Sequence, residues 1–390
     1  ENIALGHKSM GSGTVTGDSN IVLGESAGHT LTSGHHNLLV GDCAGTRLTT
    51  TSYNALFGIN AGQSMRGDYN VAFGGNALTG AWGGHATNTG SCNIALGKSP
   101  GSGMTTGNNN IMLGCRAAYN ITTGYNNFIV GQNAAACATL TGYENVIIGT
   151  EAGKCGISIA NNVFIGRYSG KKFCGGDNNV AIGKESLCGS STIANNYGPH
   201  NIAIGYATGS EMSTGEKNVI MGIESAKALS TGSRNVYIGC GAGNCRQSGH
   251  DNIAIGRLAL KGDSTPSNNT GGYNIAFGRS AGCNITSGYF NIVIGNNVEV
   301  PSATGNSQLA IGCGTSRWII GDSSFNVTVN DISASNFNST SDIRLKTNIK
   351  RIEDPIGKVN RIEGVTFDWK EYNRPALGVI ADQVEEVIPE

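Results

Sequence analysis

The chain has 390 residues, with 26 Lys and Arg against 27 Asp and Glu, a formal net charge of −1 and only 14% charged residues. Such a balance gives no electrostatic footprint for nucleic acid or an anionic membrane, and no apolar run is long enough to span a bilayer. Glycine is the outlier at 60 residues, but without a Gly-X-Y period and with only 7 prolines it excludes collagen rather than indicating it. Glu1 already stands inside a repeat, so the sequence reads as a fragment whose N-terminus lies upstream.

From the first residues onward, Asn followed four residues later by Gly recurs seventeen times between Asn2 and Asn291, with a degenerate copy at Gln308. Most steps are 17 residues; those after Asn70, Asn179 and Asn252 are 23, 22 and 22. A fixed period of this kind marks a stacked repeat architecture. The segment after each Asn, as in Asn252-Ile253-Ala254-Ile255-Gly256, is too short for a helix and rich in β-branched residues, which predicts a strand of four or five residues. The glycine closing that strand and the glycine of the recurrent Thr-Thr-Gly (Gly107, Gly124) predict backbone conformations that side chains forbid. Ala27, Ala44, Ala61 and Ala152 recur at the next corner and predict close stacking of layers. One coil per repeat predicts an all-β chain: a parallel β-solenoid, or β-roll, over residues 1–312. At ~4.8 Å per layer its shaft would be roughly 80–90 Å long, with the Asn side chains stacked as a ladder at one corner.

Between Asn and Gly stand three apolar residues, of which the first and third point to one face and the middle one to the other. A coil of this size has one interior, so a strand apolar on both faces needs a second cover, and an identical chain is the simplest. A homotrimer is expected, with middle residues such as Ile129, Ile147 and Phe164, or their neighbours, facing the partner chains. The other reading is a half-exposed face, since Ala4, Ala72, Ala95 and Ala181 also fill the middle slot.

The three long steps insert about five residues each within segments 78–92, 187–200 and 260–273. Insertions in a solenoid become surface loops, and loops carry recognition. Trp82, His85, Tyr197 and Pro266 are therefore candidate contacts for a receptor or glycan, against the alternative of plainly tolerated insertions. The 11 cysteines include no CxxC pair and no ligand set with metal-site spacing. Gly97-Lys98-Ser99 lacks the upstream glycine of a phosphate loop, and no strand–helix unit follows Gly239, Gly241 and Gly243, so neither metal nor cofactor is expected. Cys137 and Cys155 each stand ten residues after an Asn in consecutive layers, which would bring their Cα atoms to ~5 Å, within disulfide range. Free thiols packing as small apolar groups is the alternative. His35 and His36 fall in an exposed turn.

Past a connector, 313–340, the composition changes: residues 341–390 are rich in charge and nearly free of glycine. Three motifs follow in order, Ser341-Asp342-Ile343-Arg344-Leu345-Lys346, then Gly364-Val365-Thr366-Phe367-Asp368-Trp369-Lys370, then Gly378-Val379-Ile380-Ala381-Asp382-Gln383. Together they resemble the first half of the intramolecular chaperone domain of endosialidase-type phage tailspikes, the S74 peptidase family. The resemblance implies a truncated α+β domain that trimerises, templates a β-rich fibre upstream and cuts itself off. It implies Ser341 as nucleophile, Lys346 as base and Thr340–Ser341 as the cleaved bond. The upstream repeats resemble the head β-roll repeats of trimeric autotransporter adhesins in architecture, although those units are shorter and lack the Thr-Thr-Gly segment.

The expected function is a structural and receptor-binding fibre of a virion, of tail-fibre or tailspike type, exposed on the virion surface or otherwise extracellular. Its partners would be two copies of itself and a host-surface receptor or glycan, without nucleic acid or membrane insertion. A cell-surface trimeric adhesin of β-roll type is the alternative. A polysaccharide hydrolase would need a carboxylate pair in a cleft, and the repeats are poor in Asp and Glu.

Overall fold

The computed structural model describes residues 1–11, 13–80, 88–136, 140–156, 158–192, 196–324, 326–329, 347, 349–368 and 375–388. The chain divides into two compact units, Glu1–Asp331 and Ile332–Glu390.

The first unit is the parallel β-solenoid. Strands β1 (Ile3–Leu5) to β16 (Ile275–Phe277) are three residues long, one per repeat, followed by β17 (Ile292–Asn296) and β18 (Leu309–Cys313). Each pairs in parallel with the next at matching slots, as in Ile3↔Ile21, Val163↔Val146 and Ile275↔Ile292. The long steps keep this register, with Val71↔Ile94, Val180↔Ile202 and Ile253↔Ile275, so their extra residues do not shift the strand pairing. The strands are shorter than expected because both ends are corners. The residue before each ladder Asn from Asn20 onward adopts a left-handed backbone without being glycine, as at Tyr53 (φ 61°) and Arg234 (φ 58°). The closing glycine, as at Gly24 (φ 135°), lies where side chains are rarely tolerated, and a Cβ there would also meet the Gly41 backbone.

The Thr-Thr-Gly glycine differs from the expectation. Gly107 has no left-handed φ; a side chain is excluded because a Cβ would run into the carbonyl of Gly124 in the next layer.

The middle residue of the strand also requires a correction. Val22, Leu39, Met112, Ile129, Ile147, Phe164 and Tyr237 are all 0% exposed and form the interior of the coil, together with Leu31, Leu48, Met104 and Phe173 from the opposite wall. The outward face belongs to the first and third residues. The alanines at the middle slot are buried too, Ala72, Ala95 and Ala181 among them; Ala4, in the first layer, is exposed. They narrow the core locally rather than exposing it.

After β18 the chain turns antiparallel. β19 (Ser316–Gly321) pairs with β18, and β20 (Val327–Val329) pairs with β19, inside the stretch that sequence reads as connector. In the second unit, α1 (Pro355–Val359) begins at Asp354, whose carboxylate accepts a hydrogen bond from the Gly357 N–H. Strands β21 (Gly364–Asp368) and β22 (Pro375–Val379) form an antiparallel pair, and α2 (Ala381–Val387) follows.

Candidate functional site

Along one side of the solenoid runs an apolar strip two side chains wide. Because strand side chains alternate, the first and third residues of every strand share one face. They are apolar in all eighteen layers. Ile94, Phe128, Ile202, Met221, Phe277 and Ile294 are 37–40% exposed, and Phe73 is 57% exposed with its ring stacked on Phe57. Three residues of strand by eighteen layers is a strip of roughly 10 by 80 Å. About 800 Å² is one side of a standard protein interface and more than a monomer ordinarily leaves bare.

The corner beside this strip holds the Asn ladder. The Asn37 side chain donates to the Asn20 amide oxygen (3.0 Å), which also accepts from the Asn37 backbone N–H (3.0 Å). The same Asn37 amide donates to the Thr51 carbonyl in the following layer (2.8 Å), so each Asn ties three layers. The backbone link is repeated through to Asn291, the side-chain link lapses at Asn179 and Asn201, whose amides donate to backbone carbonyls, and Gln308 continues the ladder by donating to Asn291 at 3.1 Å. Nearly all of these amides are buried, so their polar groups have no water to fall back on.

A second ladder, missed in the sequence, lies two residues earlier. There the backbone N–H of one layer donates to a side chain of the next: His35 to Ser52 Oγ (3.0 Å), Ser52 to Asp68 Oδ1 (2.7 Å) and Ala160 to Asp177 Oδ1 (2.8 Å). Mixed residue types hide it, because the slot asks only for an acceptor. His35 belongs to this exposed edge, and its Nδ1 lies 2.8 Å from the Asp18 carboxylate, which it holds below its usual pKa.

The inserted segments share one anchoring device. Asn88, Asn196 and Asn269 are fully buried and stand five residues before the next ladder Asn, where other layers carry the first Thr of Thr-Thr-Gly. Asn196 Nδ2 donates to the Lys172 carbonyl (3.1 Å) and its oxygen accepts from Ser190 Oγ (2.9 Å). Asn269 Nδ2 donates to the Cys245 carbonyl (3.0 Å) while its oxygen accepts from the Asp263 N–H (3.0 Å). The substitution of Asn-x-Gly for Thr-Thr-Gly is the signal that identifies these loop bases. Of the candidate recognition residues, Tyr197 is 47% exposed and Pro266 opens a short 3-10 turn, Pro266–Asn268. Trp82 and His85 lie outside the described residues. Cys137 does too, so its pairing with Cys155 is not described.

Thr340, Ser341 and Lys346 likewise lie outside the described residues. The described part of the tail is notable for what it fails to bury. Val387 is its one buried hydrophobic among the described residues, while Leu377 is 83% exposed and Ile349, Ile356, Val359 and Val379 are all open to solvent. Short helices and one hairpin cannot enclose this surface alone.

Residues 341–390 match the family model described as chaperone of endosialidase, Peptidase S74. The C-terminal segment is therefore a chaperone-of-endosialidase domain. The chain is also 38% identical over 65 residues to the long tail fiber protein Gp37 of Enterobacteria phage K3, and equally to that of Enterobacteria phage T2. Each match covers 15% of this chain and 5% of the relative, so the chain spans a small fraction of the curated relatives' length. No solved structure matches.

Proposed function

We propose that this chain is part of a phage fibre: a homotrimeric shaft of stacked coils, assembled by the C-terminal chaperone domain and then freed from it by self-cleavage. The observation that carries the reading is the apolar strip, uninterrupted through all eighteen layers. Three parallel copies meeting along their strips would remove it from water and give the rod a dry core. The tail's open apolar side chains would be covered by the rest of such a domain and by sister chains.

Repeats as alike as these can slip by a whole layer at little cost, and long-range β assembly is slow and aggregation-prone. A trimeric seed at one end sets the register. The Ser341 hydroxyl would then attack the Thr340 carbonyl, with Lys346 taking the hydroxyl proton and returning it to the departing Ser341 amine. The resulting Thr340 ester is hydrolysed by water. Lys346 can act as a base only if desolvation lowers its pKa, which ties cleavage to a closed, correctly assembled clamp. Host-surface recognition by the anchored loops at 187–200 and 260–273 belongs to the same proposal.

The test is to express the complete gene and follow its mass. The parent protein loses everything after Thr340, while Ser341→Ala and Lys346→Ala stay intact and still trimerise. Cleavage of Ser341→Ala at the parent rate would overturn the mechanism.

A further inference from the structure

The near-neutral total charge conceals an uneven distribution around the coil. The slots five, six, nine and ten residues after each ladder Asn hold thirteen of the eighteen Lys and Arg residues of the first unit. The same slots hold six carboxylates, Glu25, Asp42, Glu151, Glu185, Glu211 and Glu224, whereas the turn preceding each ladder Asn is mainly acidic, with Asp18, Asp68, Glu144, Asp177, Glu216 and Asp251 against Lys217 and Arg234. The basic slots border a series of hollows along the shaft. One of about 510 Å³ is lined by Lys98, Arg116 and Tyr119; the next, of about 300 Å³, shares Arg116 and Tyr119 and adds Lys154; another, of about 350 Å³, is lined by Lys171, Lys172 and Lys227. Six cations face these hollows together with the carboxylates of Glu185 and Glu211, and three of the six, Lys154, Lys171 and Lys227, are paired with Glu151 or Glu224.

Aromatic rings steady several cations on this edge. The Arg116 guanidinium lies 4.6 Å from the Tyr119 ring centre, and Arg167 and Lys171 lie 4.4 and 4.0 Å from that of Tyr168. Lys98, Arg116 and Lys172 form no ion pair among the described residues, so their charge is available to a ligand.

We infer that this edge is an axial binding groove for a linear carboxylated polysaccharide. The inference rests on reading the shaft as an exposed fibre, and it names a ligand class and a surface other than the inserted loops. Cations repeated along the rod match a polymer with charges repeated along its chain. A single-stranded nucleic acid is disfavoured because it needs free aromatic faces for its bases, and here cations lie over the rings of Tyr119 and Tyr168.

The test uses the mature full-length fibre with three probes: polygalacturonate oligomers, neutral dextran and oligothymidylate. Polygalacturonate should bind with an affinity that falls as salt rises. Lys98→Gln/Arg116→Gln/Lys172→Gln should weaken it about tenfold or more, while Lys217→Gln, on the acidic edge, leaves it unchanged. Absence of polygalacturonate binding by the parent fibre, equal binding of dextran, tighter binding of oligothymidylate, or undiminished binding by the triple variant would each overturn the groove. Mass measured alongside keeps the two proposals apart: a monomeric parent refutes the trimer whether or not polygalacturonate binds.

Discussion

In the shaft, almost every interior side chain is taken out of water by the layers directly above and below, and almost every corner amide is satisfied by the next repeat. In the tail, one hairpin and two short helices leave Leu377, Ile356 and Val359 open and bury Val387 alone among the described hydrophobics. In the proposed fibre the two units would divide the labour differently. The shaft's contacts are near neighbours repeated many times, so stability accumulates layer by layer, but no layer specifies its own number. The described residues of the tail leave apolar surface for the rest of the domain or for partners to cover. In the proposed fibre, a trimeric clamp at one end would set the register of such a repetitive rod.

The sharpest way to break the comparison is to interrupt a ladder. Asn145 donates to Asn127, Tyr143 and Ile159 and accepts from Asn162, all at a buried corner. Asn145→Ala should destabilise the released shaft by about 4 kcal/mol in denaturant unfolding, as several buried groups lose partners at about 1–3 kcal/mol each. Phe164→Ala, which empties an interior slot, should cost about 3 kcal/mol or more. The tail should behave oppositely. Leu377→Asp should leave the released shaft's stability unchanged yet cut the yield of assembled fibre about tenfold, the equivalent of ~1.4 kcal/mol of association.

Arg246 is the exception within the shaft. It occupies a core slot held elsewhere by Leu31, Met104, Phe173 or Leu229, and it is fully buried with no carboxylate paired to it among the described residues. Its guanidinium donates to the carbonyls of Gly271 and Ile285 (3.2 Å to Ile285) while its Nε stays unpaired, and burial pushes its pKa down. Arg246→Met should stabilise the shaft by about 1 kcal/mol, measured as a raised denaturant midpoint, since apolar replacement of a buried charge removes its desolvation penalty. A smaller effect concerns pH. Hydrogen bonding to Lys171 holds the Glu151 carboxyl below its ordinary 4.5, and the same contact raises Lys171 above 10.5. The pair's contribution is thus present between those values; it fades as pH falls through the lowered glutamate pKa, or rises through the raised lysine pKa. Glu151→Gln should flatten the acid side of the stability profile slightly.

The period, the parallel pairing and the Asn ladder were legible because each repeat writes the same chemistry at the same slot. Which strand face was interior was not. Ile147 and its flanking Val146 and Ile148 are all apolar, so hydrophobicity alone could not say which side closes on itself. The corner decides it: a left-handed residue before the Asn and a glycine after the strand turn the middle side chain inward. The second ladder was hidden because Ser52, Asp68 and Asp177 share only an acceptor. The loop anchors were hidden because one Asn among many carries no mark until the Thr it replaces is noticed. The tail's three motifs were legible by resemblance, whereas the exposure of Leu377 and its neighbours shows only in the structure.

The most direct measurement is the solution mass of the shaft released from a complete, properly folded precursor. Light scattering should give three times the chain mass, and a charge placed on the strip, Phe128→Glu, should reduce that proportion. A monomer mass for the released parent shaft would contradict the account, because the apolar strip of all eighteen layers would then stand in water uncovered.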